Sequence, residues 1–285
     1  MKNVKFKLFS AGFVLAMALT FSCSSGDDDL PCLSCDEDSG GYGGKGNNIG
    51  NYRTVKIGTQ TWMAENLNYA VAGSKCYGEG GEVYGYDEEK DDYIWKTLTD
   101  KEVQANCDKY GRLYDWVTAM ALPPSCNESS CSSQIQPKHK GICPSGWHIP
   151  SNDDWDKLLR YVDNENGGDG DYERDDGFYE SYTAGKYLKS ADGWNWNDYD
   201  GISGNGTDKY GFSALPGGGG YSCGVFGFVC DYGFDNVGDE GYWWSATDYN
   251  AYYAYYRNMY YEYGDAVYMG YNYESVLLSV RCLQD

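Results

Sequence analysis

Eleven cysteines are the feature that most constrains how this 285-residue chain can fold. The chain begins with a positively charged segment and an apolar run of about a dozen residues, which together predict a secretory signal. Cysteines in an exported chain usually form disulfides. With Cys23 set aside as a lipidation site, an even set remains: Cys32, Cys35, Cys76, Cys107, Cys126, Cys131, Cys143, Cys223, Cys230 and Cys282. The even number predicts a disulfide-stapled domain.

The cysteine spacing suggests two local and two long-range pairs, namely Cys126–Cys131, Cys223–Cys230, Cys76–Cys107 and Cys143–Cys282. Spacing alone leaves the connectivity open, because a set of this size allows many pairings. Cys32 and Cys35 form a CxxC motif in a segment without a βαβ pattern. A local disulfide or two free thiols are therefore favoured there over a redox site.

The N-terminal segment carries the signals of a lipoprotein. Leu19–Cys23 resembles a bacterial lipobox, although Phe21 stands where a small residue is usual. Cleavage there removes residues 1–22 as a signal peptide and leaves Cys23 as an acylated N-terminus, palmitate being a typical chain. Ordinary signal cleavage without lipidation is the alternative. The acidic run Asp27–Asp29 resembles the export tag of surface lipoproteins. We therefore expect a lipid anchor in the bacterial outer membrane, with the protein facing the exterior.

Composition divides the remaining chain into two parts. Residues 23–50 are rich in Gly, Asp, Ser and Asn, which predicts a flexible tether, and residues 51–285 carry regular apolar spacing and form one domain. The formal net charge is −21. Nucleic acid is excluded as a partner because its phosphates require a basic surface. Anionic lipid is excluded for the same reason, so we expect membrane contact only through the N-terminal lipid.

Several stretches have the period of a helix or strand. Residues 53–63 alternate around a Gly58 turn and predict a β-hairpin. Apolar residues spaced for a helix predict one over 113–120, and 182–189 resembles a second, short helix. Residues 211–220 predict a strand that enters a glycine turn. The last 45 residues predict three antiparallel strands.

The segment Gly141–Val162 is dense in chemically active side chains, including His148. Ser151 precedes Asp154 by three residues, which is the pattern of a helix capping box. Acidic residues also favour the start of a helix. The only other histidine is His139, so no catalytic dyad is formed by neighbouring residues. The segment therefore predicts the start of a helix and a packed His148, and not an active site.

The acidic, glycine-rich segment 163–177 raises the question of calcium. Oxygen ligands at alternate positions suit this ion, but the EF-hand spacing is absent. A solvated insertion is the favoured interpretation, with calcium as the alternative. We expect no cofactor, no metal and no catalytic residue.

The C-terminal region is exceptionally rich in tyrosine, with twelve tyrosines between Gly241 and Glu274. Tyrosine combines apolar area with a hydroxyl at low entropic cost, which favours recognition surfaces. Cross-strand pairing inside a sheet is an equally good explanation. The candidate binding residues are Trp194, Trp196, Tyr252, Tyr253, Tyr255 and Tyr256.

Six ordered motifs resemble the Fibrobacter succinogenes major paralogous domain family. They are WMAENLNY (62–69), YGRLYDW (110–116), CPSGWHIP (143–150), GFSALP (211–216), WWSAT (243–247) and SVRC (279–282). The family occurs on exported and lipid-anchored bacterial proteins and has no assigned catalytic activity. CPSGWH and VRC also look like a C-type-lectin-like fold, and GRLYDW is similar to the formylglycine-generating enzyme branch of that fold.

The resemblance implies an irregular, loop-rich α+β domain with short helices and small antiparallel sheets. It also implies a Cys143–Cys282 bridge between the helix entry and the last strand. Trp196-Asn197-Asp198 mimics the sugar-site tripeptide of calcium-dependent lectins. Its Glu-Pro-Asn or Gln-Pro-Asp partner is missing from the sequence, so we do not expect that type of site.

The leading hypothesis is a non-catalytic surface lipoprotein whose aromatic-rich domain binds polysaccharide or a cell-surface protein. One alternative is an enzyme of the formylglycine-generating or glycan-modifying type. Another is a structural protein of a surface coat.

Overall fold

The computed structural model describes residues 52–87, 89–127, 129–168, 172–173, 179–197, 201–222, 232–262 and 264–285, except the side chains of Tyr172, Glu173 and Ser222. These residues form a mixed α+β domain, as predicted. The predicted signal peptide, the predicted lipidation site Cys23 and the predicted tether lie outside the described residues. So do Cys32, Cys35, Cys223 and Cys230.

Four helices are present in the described ranges: α1 Asp100–Tyr110, α2 Trp116–Ala119, α3 Asn152–Asn166 and α4 Ala184–Leu188. The first ten strands are β1 Thr54–Ile57, β2 Gln60–Met63, β3 Glu82–Asp87, β4 Asp92–Thr97, β5 Leu113–Tyr114, β6 Trp147–His148, β7 Tyr172–Glu173, β8 Tyr179–Glu180, β9 Trp196–Asn197 and β10 Ile202–Ser203. The others are β11 Gly217–Ser222, β12 Tyr232–Val237, β13 Glu240–Asp248, β14 Tyr253–Tyr260, β15 Tyr268–Tyr273, β16 Leu278–Ser279 and β17 Leu283–Gln284.

The strands form one large sheet and three smaller ones. The large sheet has nine strands, seven of them in the order β15-β14-β13-β11-β12-β3-β4, with β16 joining β13 to β5. It is mixed, because β11 with β13, β12 with β3 and β13 with β16 are parallel. The four-stranded sheet has the order β1-β2-β17-β6. The terminal hairpins β14–β15 and β3–β4 therefore lie at opposite edges of the large sheet.

Local sequence signals predicted several elements correctly. The β1–β2 hairpin has the predicted turn, with Gly58 at φ +59°. Helix α3 begins at the predicted capping box, where the Ser151 hydroxyl and the Asp154 backbone and carboxylate bond reciprocally. It ends at Gly167 in the left-handed conformation. Helix α4 lies inside the short helix predicted at 182–189.

Two predicted elements were wrong in detail. The helix predicted over 113–120 shrinks to α2, because Leu113 pairs with β16 and Asp115 caps α2 by accepting a bond from the Thr118 amide at 2.8 Å. The glycine run is strand β11 and not a turn. A Cβ at Gly218 would meet the Asp235 carbonyl at 2.3 Å, so glycine permits close approach of the neighbouring strand.

Three disulfides staple the domain in the described ranges: Cys76–Cys107, Cys126–Cys131 and Cys143–Cys282. They coincide with three of the four pairs that the spacing suggests. Cys76–Cys107 attaches α1 to the loop before β3. Cys143–Cys282 spans 139 residues of sequence and joins the segment before β6 to the segment before β17. This bridge therefore attaches the C-terminal strand β17 to the segment that precedes β6.

The two largest of the four apolar core clusters in the described residues contain most of the buried tryptophans. One surrounds Trp116, Trp244 and the Cys143–Cys282 bridge. The other contains Trp62, Trp155, Phe212 and Trp243, together with the apolar face of α3. The ring centroids of Trp62 and Trp155 lie 4.8 Å apart, so tryptophans from β2 and α3 join the small sheet to the helix.

Candidate ligand-binding surface

The motifs that carry the family resemblance meet in the core around Asn66. The Asn66 side-chain oxygen accepts bonds from the Trp243 indole at 2.8 Å and from Arg281 Nη2 at 2.7 Å. Its amide nitrogen donates to the Tyr110 carbonyl at 2.9 Å and to the Ser279 hydroxyl at 3.2 Å. Four of the motifs are thus connected through one buried amide side chain.

Arg281 extends this network to the GFSALP motif. Its guanidinium is fully buried and donates to the Phe212 carbonyl and, at 3.2 Å, to the Ser213 carbonyl. It also lies 4.3 Å from the Phe212 ring centroid. Burial lowers the pKa of Arg281 to about 9, so the group stays charged at neutral pH. Asn66, Trp243, Ser279 and Arg281 therefore form part of the scaffold, because their polar side-chain groups bond to one another or to backbone carbonyls.

His148 is packed in the interior, as the sequence predicted. It is buried, and its Nδ1 atom lies 2.8 Å from Asp285 Oδ1. Its Nε2 atom lies 3.5 Å from Asp154 Oδ2, in the capping box of α3. His148 thus joins the helix start to the C-terminal residue.

The β14–β15 hairpin presents a cluster of contacting rings, which we call the tyrosine face: Tyr249, Tyr253, Tyr255, Tyr271 and Tyr273. The register opposes Tyr253 to Tyr273 and Tyr255 to Tyr271, so these four side chains share one side of the hairpin. Tyr249 stacks on Tyr271 with centroids 4.2 Å apart and planes 3° from parallel. The centroids of Tyr253 and Tyr273 lie 4.4 Å apart.

The tyrosine face combines a base with an exposed upper layer. Tyr255 is only 8% exposed and packs edge-on against Tyr249 and Tyr271. Tyr249, Tyr271 and Tyr273 are exposed. The Tyr253 hydroxyl bonds to that of Tyr273, which raises the pKa of Tyr253. Ring contacts hold these side chains in place before any ligand arrives, which lowers the entropic cost of binding.

Two of the predicted binding residues, Trp194 and Tyr256, do not belong to the tyrosine face. Trp194 is 3% exposed, and its indole nitrogen donates to the Ala214 carbonyl at 3.0 Å. This burial corrects its selection, because a core residue cannot contact a ligand. Tyr256 lies on the other side of β14, against Tyr242 and Trp244, and is likewise not part of the tyrosine face.

The other predicted residues are divided between two surfaces. Tyr253 and Tyr255 belong to the tyrosine face, and Tyr252 is exposed just before β14. Trp196 is 61% exposed, but it lies on the separate β9–β10 hairpin. Tyr249, Tyr271 and Tyr273 are not among the predicted residues. The β14–β15 register brings in Tyr271 and Tyr273, and Tyr249 packs onto them from the segment between β13 and β14. Neither contact could be predicted from the sequence.

A second exposed aromatic group lies on the β3–β4 hairpin and was also missed. We call it the aromatic strip: Tyr84, Tyr86, Tyr93 and Trp95, which are 42–58% exposed. The register opposes Tyr84 to Trp95 and Tyr86 to Tyr93. Adjacent centroids are 5.1–5.5 Å apart. The sequence signal that could have predicted this group is the alternation of aromatic residues in the segments that form β3 and β4.

The surroundings of the tyrosine face are acidic. Glu274 follows Tyr273 and is 6% exposed. Burial, with the neighbouring Asp248 and Asp115 carboxylates, raises the pKa of Glu274 to about 7. The folded protein therefore holds a proton on Glu274 that the unfolded chain has released above a pH of about 4.5.

We expect Glu274→Gln to change how stability depends on pH. The folded protein binds more protons than the unfolded chain between about pH 4.5 and 7, so this carboxyl makes stability fall as the pH rises. The Gln variant is expected to be more stable than the parent by about 3 kcal/mol at pH 8 and nearly equal to it at pH 4. Urea denaturation across this range measures the difference, with exposed Glu82→Gln as the control. A constant difference across the range would contradict the prediction.

No metal site is defined by the described part of the chain, where no group of three or more His, Cys, Asp or Glu side chains is placed to hold an ion. In the acidic segment, Asp163 is buried and accepts bonds from the Tyr179 and Ser181 hydroxyls. Residues 169–171 and 174–178 lie outside the described residues. A groove of about 850 Å³ lies between the β1–β2 turn and α3, and its Asp156 is paired with buried Arg257.

These features define a disulfide-stapled α+β domain with a buried motif network and two exposed aromatic surfaces. The chain belongs to the Fibrobacter succinogenes major domain family, whose model matches residues 55–284. No curated protein and no solved structure gives a significant match. The family has no known function. Within the described ranges, none of the helices is long and apolar enough to cross a membrane.

Proposed function

We propose that this protein is a lipid-anchored, outward-facing surface protein whose tyrosine face binds a neutral polysaccharide. The observation that carries the proposal is the parallel Tyr249–Tyr271 stack beside the Tyr253–Tyr273 pair. Exposed, pre-positioned aromatic rings provide flat apolar area for the C–H faces of sugar rings. The tyrosine hydroxyls at the margins can exchange hydrogen bonds with sugar hydroxyls.

Charge selects the kind of polysaccharide. The whole chain carries a formal charge of −21, Asp248 and Glu274 are next in sequence to Tyr249 and Tyr273 of the tyrosine face, and Asp115 is close enough to Glu274 to raise its pKa. Acidic polymers are repelled by such a surface. The buried Glu274 holds its proton near neutral pH, but the two aspartates remain. A neutral glycan therefore suits this surface better than a uronic-acid or sulfated one.

Affinity electrophoresis of the purified full-length protein in gels containing xylan, mannan or β-glucan tests this proposal. We expect retardation by at least one of them, and a loss of affinity of about tenfold or more in Tyr249→Ala/Tyr271→Ala, because aromatic contacts dominate such interfaces. The matched Tyr249→Phe/Tyr271→Phe variant keeps the rings and should retain most of the affinity. Trp196→Ala serves as a control on a different hairpin.

Two results would contradict the proposal. One is the absence of binding to every neutral polysaccharide. The other is binding that the double alanine variant leaves unchanged, which would place the contact elsewhere. If the protein bound only a cell-surface protein and no polysaccharide, a protein partner would be favoured and glycan binding would be rejected.

A further inference from the structure

Strand β4 ends the large sheet at the edge opposite the tyrosine face. In the described ranges β4 pairs with β3 alone. The Tyr93 amide donates to the Asp92 side chain at 2.8 Å and so points away from β3. Because backbone groups of an antiparallel pair alternate in direction, those of Trp95 and Thr97 also face outward. An edge strand of this kind is a template for pairing with another strand.

The charge pattern of β4 selects a particular partner. Asp92 and Lys96 are both exposed and lie symmetrically on either side of Ile94. An antiparallel pairing of β4 with itself, centred on Ile94, places Asp92 opposite Lys96 twice by the two-fold symmetry. It also places Tyr93 opposite Trp95. Centring the pairing on Tyr93 or Trp95 instead places one of the charged residues opposite Ile94.

We propose that β4 is an interface between two copies of this chain, paired antiparallel in the register centred on Ile94. The outward backbone groups of Tyr93 and Trp95 then exchange hydrogen bonds across the interface. The Asp92 carboxylate leaves the Tyr93 amide for the Lys96 ammonium of the second copy. The aromatic strips of the two copies become one continuous surface, with cross-strand Tyr93–Trp95 pairs at its centre. This inference does not depend on glycan binding by the tyrosine face.

Cysteine cross-linking of the full chain in intact cells tests the register. Ile94 lies opposite its own copy in a non-hydrogen-bonded pair, at a Cα distance of about 4.5 Å that suits a disulfide. Ile94→Cys should therefore give a covalent dimer on a non-reducing gel under mild oxidation. Lys96→Cys is the matched control, since the two Lys96 positions lie about 13 Å apart in this register. Equal dimer yields from both variants, or no dimer from Ile94→Cys, would overturn the proposal.

A charge exchange in the Ile94→Cys background tests the complementarity. Asp92→Lys should lower the dimer yield by about threefold or more, because two pairs of opposite charges become pairs of like charges. Asp92→Lys combined with Lys96→Asp restores opposite charges and should restore the yield. Immunoblots confirm equal surface levels of all variants. This pairing would be excluded if Asp92→Lys left the dimer yield unchanged. It would also be excluded if adding Lys96→Asp did not restore the yield.

Discussion

Removal of the Cys143–Cys282 disulfide is expected to lower the free energy of unfolding by about 5 kcal/mol, the largest effect of any change considered for this domain. The bridge closes a loop with a sequence separation of 139 residues. Removing this bridge increases the conformational entropy of the unfolded chain more than removing a bridge that closes a short loop. Domains of this size are stable by only about 5–15 kcal/mol, so Cys143→Ala/Cys282→Ala should leave a marginal fold.

The Cys126–Cys131 bridge provides the matched control, because its sequence separation is only 5 residues. Cys126→Ala/Cys131→Ala is expected to cost about 2 kcal/mol on the same loop-entropy relation. Guanidinium denaturation of both variants under oxidising conditions measures the costs. Equal costs for the two bridges would show that the long bridge does not brace the domain through chain entropy.

The second large effect is expected from Arg281→Met, which should lower the free energy of unfolding by about 3–4 kcal/mol. Methionine fills a similar volume but donates no hydrogen bonds. The Phe212 and Ser213 carbonyls then lose their charged donor inside the core. Asn66 keeps only the Trp243 indole as a donor to its side-chain oxygen.

Two controls separate the buried network from the loss of charge alone. Arg281→Lys keeps the charge without the planar fork and should recover only part of the stability. Lys101→Met removes an exposed charge from α1 and should change stability by less than about 0.5 kcal/mol. Thermal and urea denaturation of the three variants provide the comparison. If Arg281→Met were as stable as the parent, the motifs would not meet in a stabilising network.

The parts of the fold that the sequence predicted are those with local causes. The capping box at Ser151 and the Gly58 turn each depend on residues within a few positions of one another. Spacing suggested the three observed disulfide pairs, although it left the connectivity open. Family motifs added the α+β class, and the domain model confirms that family membership.

The parts that the sequence did not predict depend on contacts between distant segments. The glycine run is a strand because β12 packs against it closely, and Trp194 is buried because a core position accepts its indole. Helix α1 was missed because its apolar residues Val103, Cys107 and Tyr110 are few. The tyrosine face depends on the β14–β15 register, which is set by pairing and not by composition.

The division between scaffold and surface has a functional consequence. Trp243, Ser279 and Arg281 from the family motifs are buried and bond to Asn66. Within the described ranges, every cysteine is in a disulfide. The tyrosine face and the aromatic strip occupy hairpins at the two edges of the large sheet. In this proposal, the surfaces that contact a ligand are separate from the buried motif network.

Hydroxyl-radical footprinting with and without a bound neutral polysaccharide tests the role of the tyrosine face most directly. Mass spectrometry reads the oxidation of each tyrosine in the parent protein, so no substitution is needed. We predict protection of Tyr249, Tyr271 and Tyr273 on binding, and unchanged oxidation of exposed Tyr182. Saturating polysaccharide that leaves the three tyrosines as reactive as before would contradict binding at the tyrosine face.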